Sequence, residues 1–136
     1  MLFFKPIACL LSLAALILPG AAPAQQSQPP NGPSSTAAVQ QAERLLSAGQ
    51  SDAAIKILTT VSGAESNDPQ ISHLLGLAYY QKADYARAIE QLSLAVKLKD
   101  EAGRQYRQDV QMLGLSHYLL GHIKEAIPYL EQVKNF

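Results

Sequence analysis

Any chemistry in this sequence would have to start from its three histidines, His73, His117 and His122. Imidazole is the side chain that exchanges protons near neutral pH and the commonest metal ligand. The spacing does not gather them. His117 and His122 are five residues apart, so they do not share a face of one helix. His117 reads as a packed histidine with one satisfied nitrogen, and His122 as a solvated turn residue. His73 alone is set apart for further use. The carboxylates are scattered over positions that read as solvated, none paired at a spacing that would tune a pKa. There is no G-x-S-x-G segment and no glycine-rich phosphate loop after a strand. The one cysteine, Cys9, lies in an apolar leader. These residues give no catalytic group, no metal site and no cofactor.

Charge excludes a second set of functions. Lys and Arg number 11 and Asp and Glu number 11, for a net charge of zero in 136 residues. A balanced chain with no basic stripe has no electrostatic pull toward nucleic acid or anionic lipid. The first 24 residues form a secretory pattern. Lys5 is followed by an apolar run from Pro6 to Leu18, a Pro19-Gly20 break and Ala22-Pro23-Ala24. The run is short of the roughly 20 residues that span a bilayer. Residues 1–24 are expected to be a signal peptide that exports the chain to the periplasm or cell envelope, or outside the cell. Retention of the apolar leader as a tether is the competing reading. Cleavage after Ala24 would leave no cysteine and no stable membrane insertion. Residues 25–34, rich in Gln, Pro and Ser, read as a flexible linker.

The elements that must position any site begin near Ser35. One pentapeptide occurs three times: Ala54-Ile55-x-x-Leu58, Ala88-Ile89-x-x-Leu92 and Ala126-Ile127-x-x-Leu130. The first two copies are 34 residues apart and the third follows after 38. Other columns keep the same offsets. Gln41, Leu75 and Leu113 align, as do Ala42, Gly76 and Gly114, then Leu45, Tyr79 and His117. Gly49, Ala83 and Gly121 align at the turn. A period near 34 with two apolar helical stretches per unit is the signature of a helical repeat array. The pattern predicts helices over 36–48, 52–63, 69–82, 85–99, 105–120 and 123–135. Small residues at Ala42/Ala54, Gly76/Ala88 and Gly114/Ala126 are expected to let the paired helices approach. Asp68-Pro69 and Asp84 read as helix starts. Pro128 is expected to be tolerated near the start of the last helix. The four extra residues, around Ala102 to Tyr106, are close to one helical turn and should lengthen a helix without moving its apolar stripe out of phase.

Leu75-Gly76-x-x-Tyr79 followed by Ala88-x-x-x-Leu92, with Leu113-Gly114-x-x-His117 and Ala126-x-x-x-Leu130 in register, resembles the tetratricopeptide repeat family. Ser72 and Asp100 stand where that pattern often has Trp and Pro. The resemblance implies an all-α solenoid of three helix-turn-helix hairpins, 35–68, 69–102 and 107–136. It also implies a concave face lined by the first helix of each unit, with Val39, Glu43, Leu46, His73, Leu77, Tyr80, Gln81, Gln111, Leu115 and Tyr118. His73, Leu77, Tyr80, Gln81, Gln111, Leu115 and Tyr118 are the candidate peptide-binding residues. Packing of Leu77 and Tyr80 between hairpins is the competing role. Val, Leu, Gln and Met stand where some members grip a carboxylate with Lys, Arg and Asn, so apolar and amide contacts to an extended or helical peptide are expected instead. The expected function is an exported, non-catalytic scaffold that binds a protein or peptide. The alternative is the targeting module of a longer envelope protein or enzyme. The last unit stops just short of a full repeat, with Tyr129, Val133 and Phe136 candidates for exposure. Either the array continues or a partner covers that end, self-association included.

Overall fold

A computed structural model describes residues 35–63, 67–98 and 103–136. The expected signal peptide and linker lie outside the described residues. Six α-helices follow in order: α1 Ser35–Ser47, α2 Ser51–Ser62, α3 Pro69–Gln81, α4 Tyr85–Leu98, α5 Arg104–Leu119 and α6 Ile123–Lys134. Each expected helix is present, with ends displaced by at most a residue or two. The described residues contain no strand. None of their helices is long and apolar enough to cross a membrane.

The helices pack as three antiparallel hairpins, α1 with α2, α3 with α4 and α5 with α6. Each hairpin then stacks on the next through α2 against α3 and α4 against α5. The first helices also meet one another, α1 with α3 and α3 with α5, whereas no backbone approach within 8 Å joins α2 to α4 or α4 to α6 among the described residues. The first helices therefore form the inner side and the second helices splay on the outer side, as ridge-into-groove stacking of repeated hairpins requires. Leu58, Ile71, Leu92, Leu113 and Val110 are fully enclosed between the layers.

The small-residue columns work through a different partner from the one expected. A Cβ built on Gly76 would lie 2.6 Å from Cδ2 and Cγ of Leu92, and one on Gly114 would lie 2.9 Å from Cδ2 of Leu130. The space over each glycine is thus filled by the leucine one turn beyond Ala88 or Ala126. Both alanines are themselves buried.

The three hairpin turns are the same motif. Gly49, Ala83 and Gly121 each have positive φ, at 71°, 59° and 77°. Each donates its N–H three residues back, and the next residue donates five back: Gln50 to Leu45, Asp84 to Tyr79 and His122 to His117. That double closure is the Schellman arrangement, which satisfies carbonyls left over at a helix end. Asp68 caps α3 by accepting from the Gln70 N–H at 2.7 Å, with Pro69 in the first turn. Asp84 caps α4 through the Arg87 N–H at 3.3 Å and binds the Arg87 Nε at 2.6 Å. The Arg87 guanidinium holds the Asp84 carboxyl below its ordinary value. Pro128 lies inside α6, which starts at Ile123 and continues past it. Its missing N–H leaves the Lys124 carbonyl without the usual helical partner. The inserted residues do lengthen a helix: α5 has 16 residues against 13 in α1 and α3.

Ala83 holds with a Cβ the backbone conformation that glycine holds in the other two turns. Left-handed φ costs an L-residue roughly 1–2 kcal/mol, partly offset by the entropy a glycine would lose. Ala83→Gly is expected to stabilise the fold by about 0.5–1 kcal/mol in denaturant unfolding.

Candidate functional site

The inner side of the stack carries a groove of about 280 Å³. α1 contributes Glu43, Leu46 and Ser47, α3 contributes His73, Leu74, Leu77 and Gln81, and α5 contributes Gln108. Positions four apart on one helix share a face, which is why His73, Leu77 and Gln81 form one wall. The groove exists because α1 and α5 flank α3 without meeting each other.

Its floor holds a buried ionic contact. His73 is 6% exposed and Asp109 is fully buried. Their side chains join through His73 Nδ1 and Asp109 Oδ1, linking α3 to α5. A carboxylate accepts, so Nδ1 carries the proton and the ring is held in one orientation with its edge in the groove. A carboxylate taken out of water needs such a partner. Asp109 corrects the expectation that all carboxylates are solvated. It also had a legible signal: at the offset of 38 it occupies the column of Ile71, which is buried in the preceding hairpin. A charged residue in a buried repeat column requires partners, and His73 is one that the stack delivers.

The polar rim is fixed by further contacts. Gln81 accepts from the Ser51 hydroxyl at 2.6 Å, tying the end of α3 to the start of α2. Glu43 accepts from the Gln70 side-chain amide at 3.0 Å. Lys82 pairs with Asp52 beside this junction.

The expected concave residues divide into three groups. His73, Leu77 and Gln81 come together in the groove, with Glu43 and Leu46 from α1. Leu77 also packs between hairpins, against both core clusters. Tyr80 is half-buried against the Ala88, Leu92 and Leu113 cluster, with its ring edge-on to Tyr85 at 5.7 Å. Gln111 and Tyr118 are exposed on α5 and Leu115 is half-buried there; none of them lines the groove. Ser47, Leu74 and Gln108 line it without having been singled out from the sequence.

The other two histidines meet despite their spacing. The turn at Gly121 folds His122 back, and its ring lies 5.8 Å from that of His117. His117 stacks flat on Tyr129, at 5.7 Å and 6°. Its Nδ1 is buried without a hydrogen-bond partner among the described residues. Burial, and then the neighbouring His122, hold its pKa below the ordinary histidine value. On the outer side, α2 and α4 leave a second groove of about 300 Å³ over Ile71, Leu75 and Tyr79.

Replacing His73 alone should be costly, because the Asp109 carboxylate stays in the stack. We expect His73→Leu to lower stability by about 3 kcal/mol and the His73→Leu/Asp109→Leu double variant to recover most of that loss. A double-mutant cycle in denaturant unfolding measures the coupling.

Residues 69–101, essentially the α3–α4 hairpin, match the family model of the tetratricopeptide repeat. No curated protein and no solved structure matches the chain. The matched hairpin is flanked on each side by another of the same build, joined through the same turn and stacked by the same columns. Residues 69–101 thus carry a tetratricopeptide repeat, and the hairpins on either side continue it as an all-α solenoid.

Proposed function

We propose that the chain is an exported scaffold that binds a protein or peptide segment on its inner face and catalyses no reaction. Tetratricopeptide repeats are generally non-catalytic protein-interaction modules. The observation that carries the finer reading is the groove between α1, α3 and α5. It joins an apolar wall, Leu46 and Leu77, to amide, carboxylate and imidazole groups at Gln81, Gln108, Glu43 and His73. Apolar pockets with a few placed polar groups suit an extended or helical peptide, whose side chains fill the wall and whose backbone takes the hydrogen bonds. Of the aromatic residues on this side, Tyr118 is 56% exposed and open to a ligand. Tyr80 is engaged in packing, so its truncation would test stability more than binding.

Peptides selected against the chain from a random display library test this reading. Gln108→Trp, which fills the groove from an exposed position, should weaken the selected peptides by about tenfold or more. Equal affinity for Gln108→Trp and the unaltered chain would place the binding surface elsewhere.

Export rests on the order of Lys5, the Pro6 to Leu18 run and Ala22-Pro23-Ala24. Amino-terminal sequencing of the protein recovered from cells should begin at Gln25, and a start at Met1 would favour the tethered alternative. A second role, as the targeting module of a longer envelope protein or enzyme, is compatible with the same groove.

A further inference from the structure

We propose that the α6 face of the third hairpin is a self-association surface, on which two copies of the chain pair antiparallel about a two-fold axis near Ile127. The repeat register identifies the face. Ile55 packs on the core cluster containing Leu74 and Leu75 of the next hairpin, and Ile89 packs on the cluster containing Met112 and Leu113. Ile127 is the third member of that column, at the same offset of 38, and it is 48% exposed. Ile123, at 48%, and Leu120, at 40%, continue the strip toward the turn. Ile127 therefore holds a stacking position of the kind already used twice within the molecule, and Leu120 and Ile123 extend it.

The opposite end of the stack cannot serve as its complement. In α1 the columns that enter the preceding hairpin carry Gln40, Gln41 and Arg44, all exposed. The corresponding residues of α3, Leu74, Leu75 and Ala78, are buried. Head-to-tail stacking would set those polar groups against Ile127 without partners. A closed pair of like faces avoids this, and two-fold pairing is the arrangement that presents one patch to itself.

Charge placement selects the orientation. Lys124 and Glu131 are both exposed, seven residues apart, and so lie two turns from each other on one flank of Ile127. In an antiparallel pair each flank meets its own copy. Lys124 of one chain then faces Glu131 of the other, and the second such pair follows by symmetry.

Sedimentation equilibrium of the full chain across micromolar to millimolar concentration tests the proposal. A monomer–dimer equilibrium is expected. Ile127→Glu should raise the dimer dissociation constant by about tenfold or more while helical content is retained. Lys124→Glu and Glu131→Lys should each weaken the dimer by about tenfold, and the double variant Lys124→Glu/Glu131→Lys should restore it. A monomer at every concentration overturns the proposal, as does a dimer indifferent to Ile127→Glu. A dimer that Ile127→Glu disrupts but the charge reversals leave unchanged overturns the antiparallel pairing. Because the groove lies between α1, α3 and α5, peptide capture can fail while self-association stands, and the reverse.

Discussion

Close approach of two helices over a residue without a side chain is the constraint on which this structure rests. Gly76 lies directly beneath Leu92, and Gly114 beneath Leu130, at separations no Cβ could share. With the paired helices drawn together, each hairpin is a thin plate, and the middle one carries apolar residues on both faces. Neither of its faces can remain in water at little cost, so a hairpin covers it on each side. The column of Leu75 and Leu113, the column of Ile55 and Ile89 and the three Schellman turns all follow from repeating that plate. The first hairpin uses Ala42 in the glycine column and keeps the same order of packing, with Ala54 and Leu58 fully buried opposite it.

Curvature and the inner groove are consequences of the same stacking. The first helices meet across hairpins and the second helices do not. The groove is the gap that α3 leaves when α1 and α5 flank it without touching. The buried side-chain contact between His73 and Asp109 sits where α5 closes onto α3. That junction ties the floor of the groove to the stacking of the third hairpin, so the geometry offered to a ligand and the docking of α5 are set by the same pair of side chains.

Much of this was legible in the sequence because local and non-local signals agreed. The Ala-Ile-x-x-Leu copies, the turn column and Asp68-Pro69 each place an element within a residue or two. Capping chemistry and period-3.6 patterning are short-range properties. The site was less legible, because burial there depends on which neighbouring helix covers a position. His73 and Gln111 belong to one column, yet α5 covers the first and the second is exposed. Asp109 looked solvated by type and is enclosed by register. His117 and His122 looked separate by helical geometry and are brought together by a left-handed turn. Tyr80 and Tyr118 share a column too, and only the one with a following hairpin beside it is packed.

The splayed outer helices have a mechanical consequence. A stack whose first helices meet across hairpins while its second helices do not is stiffer at the inner side and more compliant at the outer rim, like the leaves of a fan held near the pivot. Here the pivot runs along α1, α3 and α5, and the leaves are α2, α4 and α6. Small rotations of one hairpin against the next change spacing mostly at the outer rim, over Ile71, Leu75 and Tyr79. They change it least at the inner groove. The inner side is thus the part of the array whose dimensions are best preserved as the solenoid flexes, which suits it to holding a ligand of fixed width.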